Sequence, residues 1–97
     1  MLEGRLAATH AVYREWCHAT DRDAEADAPL GLTAFPFVGD DHAVSEAALR
    51  RGLLVIPGSG FGRHGHVRVG LGIDAIALRE GLRVLGEVVT MVDAQTL

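Results

Sequence analysis

The sequence predicts an α+β fold, a small β-sheet covered on one face by helices, with elements in the order α-β-α-β-β-α. Three observations predict it. Helical apolar periodicity opens and closes the chain; short β-like runs punctuated by glycine and proline lie between; and 97 residues suffice for one small core. A chain of this length buries only roughly 60–65 % of the surface it exposes when unfolded, so that core is modest.

The first helix spans Arg5 to Ala19, where Leu6, Thr9, Tyr13 and Trp16 recur at helical spacing without glycine or proline. From Thr20 to Pro29, Asp21, Asp23, Glu25 and Asp27 alternate mostly with alanine, which makes a solvated linker or a frayed helix end. Residues 1–29 thus form a helix and acidic linker, and 30–97 form the sheet-bearing domain. Leu30 to Val38 favours extended structure, and Pro36 restricts it to an edge position or a bulge. Asp40 and Asp41 are candidate N-caps for a helix from about His42 to Arg51, and Gly52 suits the position just past its end. Leu53 to Ile56 reads as a short buried strand, Pro57 to Gly65 as a loop and His66 to Leu71 as a strand. Asp74 caps a last helix with an apolar stripe of Ala75, Ile76, Leu78, Leu82, Leu85 and Val89, and Arg79, Glu80, Arg83 and Glu87 face away.

Bulk composition narrows the function. The formal net charge is −4, which argues against nucleic acid or an anionic membrane as partner. No apolar run approaches the roughly 20 residues that span a bilayer, and Met1-Leu-Glu-Gly-Arg has no signal-peptide pattern, so a cytoplasmic location is expected. The single cysteine, Cys17, excludes an internal disulfide and is expected to be packed rather than reactive. All nine positive residues are arginine; the chain has no lysine.

Chemistry concentrates between Gly52 and Gly70. The segment Gly58-Ser59-Gly60-Phe61-Gly62 superficially resembles a dinucleotide fingerprint, but Arg63 stands where the third glycine belongs and strand, not helix, follows. Without Gly-Lys-Ser/Thr a P-loop is excluded as well. His64 and His66, two apart in an extended segment, share a face and could begin a zinc site, yet no third ligand is near; no metal is expected here or in the acidic linker, which lacks the glycine turn of a calcium loop. Arg68 lies between Val67 and Val69. If the valines face the core, Arg68 points outward; if the sheet is covered on both sides, Arg68 is buried and needs a carboxylate or phosphate partner.

Taken in order, Arg51-Gly52, the apolar run Leu53–Ile56, Pro57-Gly58-Ser59-Gly60-Phe61-Gly62, His66-Val67-Arg68-Val69 and the amphipathic helix from Ala75 resemble the C-terminal small domain of fold-type I, pyridoxal-phosphate-dependent aminotransferases of class I/II. Thr33-Ala34-Phe35-Pro36-Phe37 is similar to the preceding strand in a subset of that family, and Tyr13-Arg14 is similar to its interdomain helix. The resemblance covers residues 30–92 best. It implies that Arg68 grips the substrate α-carboxylate of an amino acid or 2-oxo acid, and that the cleft loop Pro57, Gly58, Ser59, Gly60, Phe61 and Gly62 packs near the cleft mouth. It also implies pyridoxal phosphate as the complete enzyme's cofactor, and an aminotransferase large domain or homodimer partner. The family's cofactor chemistry needs a lysine that forms an imine with the cofactor aldehyde. With no lysine, these 97 residues are expected to bind no pyridoxal phosphate and to be non-catalytic alone. The alternative is a non-catalytic module of the same fold that binds a small carboxylate or a protein.

Overall fold

The computed structural model describes residues 2–22 and 31–95. The acidic stretch of the linker (Asp23, Glu25, Asp27 and Pro29) and Leu30 lie outside the described residues. The elements are α1 (Leu2–Ala19), β1 (Thr33–Ala34), α2 (Asp41–Arg50), β2 (Ile56–Pro57), a 3-10 turn (Gly58–Phe61), β3 (Val67–Gly70) and α3 (Ala75–Gln95). They make an α+β domain of three helices and one three-stranded antiparallel sheet, ordered β1-β3-β2.

Local chemistry sets the helix ends. Asp40, not Asp41, is the N-cap of α2, and its carboxylate accepts from the Ala43 amide at 3.0 Å. At the other end Gly52, at φ +82°, donates to Leu49 O, and Leu53 donates to Ala48 O. This is the paired 5→2 and 6→1 closure that favours glycine just past a helix. The end of α1 closes in the same way: Asp21 at φ 61° donates to His18 O and Arg22 to Cys17 O. It is a defined stop, not a frayed end. Asp74 caps α3 through the Ala77 amide at 2.9 Å.

The strands are shorter than the sequence predicts. Of Leu30–Val38, only Thr33–Ala34 is strand, with an isolated bridge from Phe37 to His66. Pro36 is the physical cause: it accepts from Val67 N at 3.2 Å but has no N–H to return. It lies at an edge, as expected, and inserts no bulge. Thr33↔Gly70, Ala34↔Val69 and Phe37↔His66 keep one register, and Leu71 N→Leu32 O and Val38 N→Gly65 O extend it at both ends. The expected strand Leu53–Ile56 is corrected to Ile56–Pro57, because Leu53 closes α2 and packs its side chain on the core. The expected loop Pro57–Gly65 therefore begins inside β2 and contains a 3-10 turn, and His66–Leu71 contracts to Val67–Gly70.

All three helices share one core. Val12, Tyr13 and Cys17 of α1, Val44, Ala47 and Ala48 of α2, and Leu78, Leu82, Leu85, Val88, Val89 and Val92 of α3 cluster against Ala34, Val67, Val69 and Leu71. Cys17 is fully buried, as expected of a packed thiol. Ile76 departs from the expected stripe: it is 80 % exposed, because helical spacing puts it on the outward face of α3 with Glu80, Arg83 and Glu87, while Ala75 beside it packs on the core. Among the described residues, the buried Ser45 Oγ has no hydrogen-bond partner. An unpaired buried hydroxyl costs about 1–3 kcal/mol, and alanine is the better helix former. Ser45→Ala is therefore expected to stabilise the protein by about 1 kcal/mol, read from urea unfolding midpoints. No helix among the described residues is long and apolar enough to cross a membrane.

Candidate carboxylate-binding face

Among the described residues, the helices cover one face of the sheet and leave the other open. Val67 and Val69 point into the core, which turns Arg68 and Gly70 outward. This decides between the two sequence-based positions for Arg68: the valines face the core and the arginine is exposed. Arg68 makes no ion pair with any carboxylate among the described residues. Its guanidinium carbon instead lies 5.2 Å from the centroid of the Phe61 ring.

The sheet register builds the surroundings of Arg68. Ile56 is its direct partner on β2, and on the β1 side Phe35 follows the pair Ala34↔Val69 into the opposite position. Phe61 reaches over from the 3-10 turn and meets Phe35 edge-to-face at 6.1 Å between centroids. Arg63 then places its guanidinium carbon 5.1 Å from the Phe35 centroid. Farther along the same face, Phe37 and His66 pair edge-to-face at 5.4 Å. The result is an outward surface of aromatic rings carrying two guanidinium groups. Seating a guanidinium on a ring removes part of its hydration while leaving its in-plane N–H donors free.

The loop holding Phe61 and Arg63 is latched to α2. Asp41, only 6 % exposed, accepts from Ser59 N at 3.0 Å and from Ser59 Oγ at 2.5 Å. These bonds, led by the hydroxyl and joined by the Ser59 and Gly65 amides, lower the Asp41 carboxyl from 3.8 to about 2, against the opposing effect of burial. His64 Nδ1 lies 3.1 Å from Ser59 Oγ. Because Ser59 donates its proton to Asp41, the oxygen is left to accept from His64 Nδ1–H. The three residues are not arranged for nucleophilic catalysis: the histidine does not receive the serine proton, and a carboxylate titrating near 2 is a poor base. The trio fixes a loop.

Inside that loop Gly58 is the tightest point. It donates to His66 O at 2.7 Å, which continues the β2–β3 register by one residue, and accepts from Arg63 N at 2.8 Å, which closes the turn. A Cβ at Gly58 would stand 2.3 Å from Arg63 O and 2.6 Å from His66 O. Gly60 meets nothing within 4 Å.

Several sequence-singled residues do not converge. His10 bonds to Gly31 O, and His66 Nδ1 turns to His64 O rather than toward a shared ligand. Among the described residues no three His, Cys, Asp or Glu side chains form a group that could hold a metal ion. The sequence reading missed Arg63, Phe35 and the latching role of Asp41. Only the pairing register, invisible in one sequence, brings Phe35 beside Arg68. A scan against protein-family models and a search of curated proteins each give no match to this chain.

Proposed function

We propose that this domain supplies the carboxylate-gripping half of an amino-group-transfer site, in the manner of the aminotransferase small domain that residues 30–92 resemble. The supporting observation is Arg68: a guanidinium with no ionic partner among the described residues, placed over the Phe61 ring on the outward face of β3. A planar fork of donors matches a carboxylate bidentately, and partial dehydration strengthens the pair. Fixing the α-carboxylate orients the substrate Cα against whatever group reacts with it.

Pyridoxal phosphate does not fit the residues present. Its imine-forming lysine has no counterpart among the 97 residues, all of whose positive side chains are arginine. No step through that cofactor is assigned to this chain; on this reading the lysine is supplied by an aminotransferase large-domain partner. Held alone, the domain is a carboxylate-binding module.

Reconstitution tests the reading. The chain is combined with a class I/II aminotransferase stripped of its own small domain, and transfer from alanine to a 2-oxo acid is followed. Activity is expected only with both components, falling about 100-fold with Arg68→Gln, equivalent to about 2.7 kcal/mol of transition-state stabilisation. Activity indifferent to Arg68→Gln, or none together with no binding of pyruvate by the isolated chain, overturns it.

A further inference from the structure

A cleft of about 220 Å³ lies between the β2 edge of the sheet and the first half of α3. Its floor is Val55, Val69, Leu78, Leu82 and Leu85, all buried in the core. Leu54 and Ile73, both exposed, stand at its mouth. No charged or polar side chain among the described residues lines it. The clefts along α1 differ: Glu15, Arg79 and Arg83 edge one, and Arg22 and Asp93 the other. The β2-edge cleft is also separate from the open face of the sheet, since Val69 turns inward where Arg68 turns outward.

A glycine helps to make this space. Gly81 sits in the interior of α3, in ordinary helical backbone, and no positive φ demands glycine there. Glycine is among the poorest helix formers, so its presence needs another reason. What the missing side chain supplies is room: a Cβ at position 81 would point into the cleft and stand 3.3 Å from Leu53 Cδ1. That atom is the far end of a flexible side chain. A methyl could therefore be accommodated by a small shift of Leu53, with the loss of open volume.

We infer that this cleft binds a small, free, neutral hydrocarbon ligand, an aromatic ring or short branched chain of about six or seven carbons. The size follows from the volume, since apolar cavities of about 150 Å³ stay dry and admit benzene. A hydrocarbon entering here leaves water and meets packed side chains on most sides. A charged group would lose its hydration and find no countercharge in the lining. The open mouth between Leu54 and Ile73 lets the ligand enter without unfolding the core. Arg68 takes no part, so the inference stands or falls apart from the proposed carboxylate grip.

The test is titration of the full chain with toluene, followed by carbon-13 NMR of the side-chain methyls. Saturable shifts are expected at Val55, Val69, Leu78 and Leu85, with a dissociation constant of about 1 mM. Val12 and Val38, which line the clefts along α1, should remain still. Benzoate, the same ring with a charge, should bind at these methyls at least about tenfold more weakly. N-acetylphenylalaninamide, the ring on a peptide backbone, should also bind more weakly, because its amides meet no polar side chain in the lining. Two variants fill the space, Gly81→Ala from the helix and Ala77→Leu from the rim, and each should weaken toluene at least about fivefold. Ala77 is exposed, so Ala77→Leu leaves core packing intact and decides the matter should Gly81→Ala disturb Leu53. Shifts that are absent, unsaturable or shared evenly with Val12 and Val38 overturn the inference, as does toluene affinity unchanged in Ala77→Leu. Benzoate bound as tightly as toluene overturns the neutral ligand class, and tighter binding of N-acetylphenylalaninamide overturns a free ligand.

Discussion

Gly58→Ala is expected to destabilise the protein by about 3 kcal/mol, among the largest effects of any single methyl added to this chain. The new carbon would stand 2.3 Å from Arg63 O and 2.6 Å from His66 O, both backbone atoms committed to hydrogen bonds. A flexible side chain could swing aside; the two carbonyls of a short antiparallel turn cannot without breaking the bonds they accept, His66 O from Gly58 N–H and Arg63 O from His66 N–H. Gly60→Ala, two residues on, meets nothing within 4 Å and is expected to change stability by less than about 0.5 kcal/mol. Urea unfolding of both variants separates steric crowding from a general intolerance of the 3-10 turn: only the first midpoint should fall. Equal shifts would show that the turn, not the close approach, requires glycine.

The second large effect is expected at Asp41 and depends on pH. Its carboxyl is held at about 2 in the folded chain against 3.8 when free. The folded state therefore binds the proton less readily than the unfolded state, and the group adds stability wherever it is ionised. That contribution is complete above about pH 4, falls as the pH drops toward 2, and is gone below that. Its size is about 2 kcal/mol. Asp41→Asn should lose this amount at neutral pH, flatten the acid limb of the stability profile between about pH 4 and 2, and loosen the loop that carries Phe61 and Arg63. An unchanged acid limb in Asp41→Asn would assign the acid sensitivity elsewhere.

The helices were legible in the sequence because their signals are local. Asp40, Gly52 and Asp74 act within one turn of themselves, and each does what its residue type suggests. The α3 stripe was legible from Leu78 to Val89, stopped short of the buried Val92, and failed at Ile76, which is out of phase with it and shares the outward face of Glu80 and Arg83. The strands were less legible because their limits are non-local. Leu53 and Leu54 look like strand residues, yet one ends a helix and the other is 72 % exposed. Phe35 and Pro36 interrupt β1 only because a proline faces Val67 at a hydrogen-bonded position.

At the site, the alternation Val67-Arg68-Val69 limited Arg68 to two orientations, and the coverage of the sheet chose between them. The aromatic seat was not legible. It is assembled from Phe35 on β1 and Phe61 in the turn, residues 26 apart in sequence that meet through register and loop closure. Ser59 looked like one member of a glycine-rich loop, and its role came from Asp41, 18 residues upstream.

The central claim is that Arg68 holds a carboxylate on the open face of the sheet. Nitrogen-15 NMR of the arginine Nε–H signals during addition of pyruvate tests it most directly. A saturable shift of the Arg68 signal is expected, with a dissociation constant of about 10 mM, as one bidentate pair to a partly dehydrated guanidinium supports. The Phe61 and Phe35 ring signals should move with it, and Arg50, exposed on α2, should remain still. Arg68 and Arg50 shifting equally and without saturation would rule out a carboxylate site at Arg68, since both would then be meeting pyruvate only as exposed charges.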